Sequence, residues 1–273
     1  MPYLTSKNNI RWHYEATGQG ESLLFIHGLA ADKRVWNQQV EYFKNFYQVI
    51  TVDLPGHGQS PWLDVTLEDI VRDLDFLLNA LGVTEAHLAA SSFGGLVALK
   101  YFEIFPDKVK RLILIGAGPK FAKSREFPYG LEIPRIRKLR SQVETNFPEI
   151  LNIFFRSLFT LEERKSLRFK WLQMFQKDNV LPRQEALIKF LRILEKEDLT
   201  RTFLNICVPV FCVSGAQDYI CPPEALRHFQ SQLPQARVEV FAGCGHFPFL
   251  SKPREFNERL KIFLCQEGHV EIN

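Results

Sequence analysis

What this sequence has little of narrows its class before any motif is read. It contains no run of about 18 apolar residues, so no membrane-spanning helix is expected. The stretch Met1 to Tyr14 is polar and broken, without the apolar centre of a secretion signal. Cysteine is sparse. The five present, Cys207, Cys212, Cys221, Cys244 and Cys265, are an odd number at no metal-ligand spacing. They favour reduced thiols in a cytoplasmic protein that holds no metal over a disulfide framework. A strong excess of one charge is also missing, and a net +3 is too mild to predict nucleic-acid binding. No internal repeat or low-complexity tract is visible. What remains is 273 residues, 46% hydrophobic and 13% aromatic. That is ample for a sizeable core in one large α/β domain or two small ones.

The pattern along the chain is strand and helix in alternation. Residues 3 to 16 turn at Ser6-Lys7-Asn8-Asn9, as an opening antiparallel hairpin does. Leu23-Leu24-Phe25-Ile26 is a short, fully apolar run before His27-Gly28, the mark of a buried parallel strand. Tyr47 to Asp53 reads as the next strand and runs into the loop Leu54 to Ser60. A helix follows with Thr66 and Asp69 as a capping box, apolar residues at 70, 71, 74, 77, 78 and 81, and Gly82 as its stop. Ala86 to Ala90 and Val109 to Ile115 are strands on either side of a helix ending near Phe105. From about Pro119 to Thr200 the alternation stops. This stretch is helical in pattern and rich in phenylalanine. It holds 17 Lys and Arg against 11 Asp and Glu, a net +6 that leaves −3 for the remainder. Alternation resumes with a strand at 208 to 215, a helix from Pro223, a strand from Arg237 to Phe241 and a helix from Pro253 to Leu264. Such alternation predicts a mostly parallel sheet covered by helices on both faces. The helical stretch is expected as an insertion over the carboxyl ends of the strands.

One stretch organises the chemistry: Leu88-Ala89-Ala90-Ser91-Ser92-Phe93-Gly94-Gly95. A serine at a sharp strand-to-helix turn, with small residues two before and two after, is a nucleophile-elbow pattern. Strand and helix approach so closely there that larger side chains do not fit. Ser92 meets the demand with Ala90 and Gly94, whereas Ser91 would place Phe93 at one of the small positions. A nucleophilic serine needs a base, and the base an orienting acid. In an open α/β sheet both belong on loops past the strands' carboxyl ends. Asp218 follows the strand 208 to 215, and His246 follows the last strand in Ala242-Gly243-Cys244-Gly245-His246. The order Ser, Asp, His is that of α/β-hydrolases and not of the chymotrypsin or subtilisin types. The developing oxyanion needs donors, which fall to the amides of Phe93, after the nucleophile, and Leu29, after His27-Gly28. His13, His57, His87, His228 and His269 lack such a setting and read as structural or solvated, and Asp53 as a holder of the Pro-Gly loop.

With these residues in place the sequence resembles the α/β-hydrolase family over essentially its whole length. More narrowly it resembles the pimeloyl-[acyl-carrier protein] methyl ester carboxylesterases of biotin synthesis. The likeness is best from Leu191 to Phe256, through Leu194 to Leu199, Asp218, and Gly245-His246-Phe247-Pro248-Phe249-Leu250-Ser251-Lys252-Pro253. Leu29 stands where a tryptophan commonly follows His-Gly in that family, and Ala90 where glycine is usual. The break in alternation predicts a core of residues 1–118 and 201–273 with a helical lid at 119–200, and the resemblance extends to the lid from Gly118 to Ser166. The resemblance implies substrate contacts at Leu29, Phe154, Phe155, Arg156, Ser157 and Leu158, and carrier-protein contacts at Arg164 and Arg168. It implies no cofactor. A basic lid suits an acidic acyl carrier protein by long-range attraction. An acyl chain wants an apolar passage, for which Phe121, Phe127, Phe147, Phe154, Phe155, Phe159, Phe169, Trp171 and Phe175 are candidates, with packing of the lid onto the core as the competing role.

The expectation is therefore a serine carboxylesterase with a Ser92-His246-Asp218 triad. Dehalogenase and epoxide-hydrolase chemistry would need an aspartate in place of Ser92. A general esterase, lactonase, carbon–carbon hydrolase or perhydrolase on the same scaffold remains open, because fold does not decide function. So does a binding protein that keeps the triad but turns over slowly.

Overall fold

The computed structural model describes residues 2–177 and 180–266. Its centre is one eight-stranded sheet. The strands are β1 (Tyr3–Thr5), β2 (Arg11–Thr17), β3 (Ser22–Ile26), β4 (Gln48–Asp53), β5 (Ala86–Ser91), β6 (Val109–Ile115), β7 (Val210–Gly215) and β8 (Arg237–Phe241). Their spatial order is β1-β2-β4-β3-β5-β6-β7-β8. β1 and β2 form the expected hairpin, and β2 runs antiparallel to β4. Every other pairing is parallel. β3 and β5 are buried along their whole length, which is why they read as continuous small or apolar runs rather than alternating ones.

Helices cover the sheet as the alternation predicts. α1 (Asn37–Phe43) comes first, followed by α2 (Leu67–Ala80) and α3 (Phe93–Ile104). α2 begins at the capping box: Thr66 Oγ1 accepts from Asp69 N at 3.1 Å, and Asp69 Oδ2 accepts from Thr66 N at 2.9 Å. Gly82, at φ +74°, lies two residues past its end. α3 packs on α2, β3, β5 and β6 and buries most of its residues, so its sequence is apolar nearly all round. Between β6 and β7 run α4 (Ile133–Thr145), α5 (Glu149–Ser157), α6 (Leu161–Lys165), α7 (Leu167–Lys177), α8 (Gln184–Lys196) and α9 (Thr200–Leu204). α4 packs on α8, where Glu195 takes salt bridges from Arg137 and Arg140, both at 2.7 Å. α8 turns Leu187, Phe190 and Leu191 inward, and the Phe190 ring stacks on Phe93 at 4.2 Å. The chain closes with α10 (Pro223–Gln232), α11 (Pro248–Ser251) and α12 (Pro253–Cys265).

Three details depart from the sequence reading. β7 starts at Val210 rather than 208. Pro209 has no N–H to give the ladder and joins it only by its carbonyl, which accepts from Leu112 N at 3.0 Å. The turn Lys33–Trp36 and α1 fall in a stretch whose periodicity is too short to announce a helix. Two isolated bridges, Lys120 to Asp198 and Ala122 to Leu131, lie where no strand signal was visible. The first ties the two ends of the helical segment to each other, and the second closes a loop within its opening residues. No helix among the described residues is long and apolar enough to cross a membrane.

Candidate active site

Ser92 sits between the last residue of β5 and the first of α3, at φ 52° and ψ −122°. Such a conformation costs a non-glycine residue about 1–3 kcal/mol and persists only where the surroundings fix it. Here Ser92 N donates to Ile115 O at 2.9 Å, and Ser92 O accepts from Gly95 N at 2.8 Å. The small neighbours are required by distance. A Cβ on Gly94 would lie 2.6 Å from Ile26 O and 2.7 Å from His27 O, and one on Gly28 would lie 2.9 Å from Ser92 Cβ. Ala90 is fully buried, so the site tolerates a methyl group where glycine is usual. Ser91 is the last ladder residue, opposite Ile115, and lies outside the strained turn.

Asp218 and His246 meet in space although they are far apart in sequence. His246 Nδ1 and Asp218 Oδ2 are 2.8 Å apart, and both side chains are buried. The other carboxylate oxygen accepts from Ile220 N at 2.8 Å and Cys221 N at 3.1 Å. A carboxylate anchored by two amides can only accept, so Nδ1 carries the proton and Nε2 is left basic. Nε2 is buried and makes no hydrogen bond. The imidazole packs so tightly on Gly116 that a Cβ there would lie 2.8 Å from both Nδ1 and Cε1. Gly116 directly follows Ile115, whose carbonyl holds the Ser92 amide, so imidazole and serine share one corner of the sheet. The buried cysteines are poor rival nucleophiles: burial pushes the thiols of Cys212 and Cys244 up to about 12.

The loop 27–31 is fixed by two buried histidines. His27 Nδ1 donates to Gly28 O at 2.8 Å while its Nε2 accepts from Leu54 N at 2.9 Å. His57 lies beneath, with Nδ1 3.2 Å from Pro55 O and Nε2 accepting from Ala30 N at 3.3 Å. Burial holds both imidazoles neutral, lowering His27 and bringing His57 down to about 3. His57 thus shapes the loop, as expected, and carries Phe190 stacked on it at 5.1 Å. Asp53 also behaves as expected and accepts from Gln59 N in the Pro-Gly loop, as well as from Lys33 N and His13 Nδ1.

Beside Ser91 and Gly28 opens a slot of about 760 Å³ including its mouth. Leu29, Phe154, Phe155 and Leu158 line it, and Arg156 and Ser157 are not among its walls. Arg156 is exposed, and Ser157 Oγ instead meets Phe154 O and the Tyr219 hydroxyl. Arg164 Nε donates to Phe159 O at 3.0 Å. Arg168 lines the slot, with Nε donating to Leu250 O at 2.9 Å. Phe159 and Phe169 pack edge to face at 5.0 Å, and Phe127 stacks on Phe229 at 5.3 Å, so these aromatics are core. Phe121 is buried and Phe147 half-buried against the same core. The side chains of Trp171 and Phe175 lie outside the described residues.

A model of the alpha/beta hydrolase family matches residues 23–259. The chain belongs to that family. Among curated α/β-hydrolase relatives, the pimeloyl-[acyl-carrier protein] methyl ester esterase of Nitrosomonas europaea is 30% identical over 89% of this chain and 96% of its own. A 2-hydroxy-6-oxononadienedioate/2-hydroxy-6-oxononatrienedioate hydrolase of Paraburkholderia phymatum is 30% identical over 96% of this chain and 94% of its own. Among solved structures, an esterase from Exiguobacterium antarcticum superposes with a TM-score of 0.89 at 25% identity. It covers 97% of this chain and 99% of its own.

Some of this hydrolase's site lay beyond sequence reasoning. Ser91 reads in the sequence only as a rival nucleophile, yet its hydroxyl is buried without a partner and it borders the slot. Arg34, held by Asp32 at 2.8 Å, lines it as well. Neither carries a motif. The strain at Ala30, φ 60°, is likewise invisible in the sequence because alanine does not announce a left-handed turn.

Proposed function

We propose that this α/β hydrolase is a serine carboxylesterase whose substrate is the methyl ester of pimeloyl-acyl carrier protein, in cytoplasmic biotin synthesis. The observation that carries the chemistry is the buried Asp218–His246 pair, with Nε2 left as acceptor in the corner of the sheet that holds the strained Ser92. In this mechanism Ser92 Oγ attacks the ester carbonyl as His246 Nε2 takes its proton. The tetrahedral oxyanion is held by the amides of Phe93 and Leu29. Ala30 and Ala31 are unsuited, since their amides already donate to His57 Nε2 and Gly28 O. Each such donor contributes about 2.7–4 kcal/mol in the transition state. Collapse expels methanol, protonated by His246. Water, deprotonated by the same imidazole, then releases the acid from the acyl-enzyme. Asp218 keeps the imidazole in the required tautomer throughout.

The family, its esterase-named relatives and this residue set together make the chain a carboxylic ester hydrolase. The narrower substrate is supported by those relatives' names and by the slot. A thin apolar passage walled by Phe154, Phe155 and Leu158 suits a linear acyl chain. The basic helical segment 119–200, as a lid, would attract an acidic carrier, with Arg164 and Arg168 as its contacts. A second reading, a hydrolase of free small esters, is favoured by the inward course of Arg168 into the slot.

Turnover of pimeloyl-acyl-carrier-protein methyl ester, beside free dimethyl pimelate and with Ser92→Ala as control, decides between them. A marked preference for the carrier-bound ester, weakened by salt and by Arg164→Glu with Arg168→Glu, is the expected result. Brisk hydrolysis of the free ester with none of the carrier-bound one would refute the narrower substrate.

A further inference from the structure

We infer that Glu163 is a positioning residue for His246, through which the helices walling the acyl slot set the place of the imidazole. The inference rests on the reading of Ser92 as nucleophile and His246 as base. The ring of His246 is held from the sheet side by Asp218. The two backbone amides leading into it are held from the other side. His246 N donates to Leu158 O at 2.8 Å, and Gly245 N donates to Glu163 Oε2 at 3.0 Å. Gly245 is pressed against this segment: a Cβ there would collide with Leu158 O and lie 3.1 Å from Phe159 Cα. So the loop carrying the histidine is fastened to the helical segment and not only to the strands.

Glu163 is itself pinned. It closes a capping box with Thr160, whose N donates to Glu163 Oε2 at 2.6 Å and whose Oγ1 accepts from Glu163 N at 3.0 Å. One carboxylate oxygen therefore takes an amide from each side of the boundary between helical segment and sheet. Charge-assisted bonds of this kind are about twice as strong as neutral ones. The other oxygen is buried without a hydrogen bond, beside a cleft bordered by Arg168, Lys252 and Ser251. Leu158, which holds His246, also walls the slot, and Phe154 and Phe155 stand one turn before it. An acyl chain filling the slot therefore presses on the element that fixes the base. A displacement of about 1 Å at a catalytic group can cost ~100-fold in rate.

The test compares kcat and KM for p-nitrophenyl acetate and hexanoate in the wild type, Glu163→Ala and Glu163→Gln. Active sites are counted with a phosphonate that labels Ser92. Glu163→Ala is expected to lower kcat per labelled site roughly ten- to hundredfold, with KM changed little and the loss larger for the hexanoate. Glu163→Gln, whose amide oxygen still accepts both N–H groups, is expected to restore most of it. Should the alanine variant fail to fold, Glu163→Asp, one methylene short of Gly245, carries the same expectation. An unchanged kcat per site, an equal loss on both esters, or a glutamine variant as poor as alanine would overturn the inference. Activity surviving Ser92→Ala would instead overturn the reading on which it rests.

Discussion

Replacing Asp218 by asparagine isolates the one interaction on which the proposed mechanism turns. The shape is unchanged, so the consequence follows from hydrogen-bond polarity. The site presents two donors, Ile220 N and Cys221 N, to one carboxylate oxygen. An asparagine must turn its carbonyl toward them, because the opposite orientation would set an NH₂ against two N–H groups. That leaves the NH₂ facing His246 Nδ1. The imidazole must then accept at Nδ1 and carry its proton on Nε2, where it can no longer take the proton of Ser92. By analogy with the same change in other triads, kcat is expected to fall about 10⁴-fold, or ~5.5 kcal/mol of transition-state stabilisation. KM should stay within about threefold, since Asp218 is remote from the acyl slot. The melting temperature should hardly move, because both backbone bonds survive. The assay is p-nitrophenyl ester hydrolysis at pH 8 with circular dichroism on the same samples. A kcat loss below about tenfold in a folded Asp218→Asn protein would refute the assignment of His246 as base.

Other outcomes follow from the buried histidines and the aromatic stack. Burial holds His57 near 3 in the folded state against 6.5 in the unfolded chain, so the unfolded state binds the extra proton between these values. Its contribution to stability is complete above pH 6.5 and is lost as pH falls toward 3, at ~1.4 kcal/mol per unit. Unfolding free energies from urea titrations at pH 7 and pH 5 should differ by about 2 kcal/mol from this group, with His27 adding in the same direction, and His57→Gln should flatten the slope. A slope unchanged in that variant would exclude His57 as the cause. Phe190→Ala removes a fully buried ring stacked on both Phe93 and His57 and should cost about 3–5 kcal/mol in thermal or urea unfolding. A cost under about 1 kcal/mol would show that the helical segment is not held there.

The parts of the fold legible in the sequence are those whose signal is local. β3, most of β5 and the second half of β6, Leu112 to Ile115, are runs of small or apolar residues because central parallel strands meet helices on both faces. α2 declares itself by Thr66, Asp69 and Gly82. The turn around Ser92 shows because two chain segments approach within van der Waals distance, and only Ala90 and Gly94 are small enough. What stayed hidden depends on partners distant in sequence. Nothing near Asp218 says that Ile220 and Cys221 will turn their amides onto it. Nothing near Glu163, which reads as an ordinary capping-box acid, says that its carboxylate will also receive Gly245 N from 82 positions away. The strands' carboxyl ends can be located from alternation alone, whereas the walls of the slot require knowing which face each helix between β6 and β7 presents.

That division explains why the chemistry was more accessible than the specificity. The proposed nucleophile, base and acid follow strand ends, and a parallel sheet fixes strand ends relative to one another through its ladder: Ser91 opposite Ile115, and Gly215 opposite Phe241. The register of the four adjacent strands β5 to β8 thus carries Ser92, Asp218 and His246, which follow β5, β7 and β8, to a common corner, whatever the loops contain. The slot has no such frame. It is bounded by helices held through scattered contacts such as Phe190 on Phe93, Arg168 on Leu250 O and Gly245 on Glu163, each of which a substitution can remake without disturbing the ladder. A scaffold built this way can keep its reaction while its helical segment changes substrate, and relatives of equal identity with different named substrates are the expected outcome. For the same reason, the contacts that join the helical segment to the His246 loop are where a change of substrate must be reconciled with an unchanged mechanism.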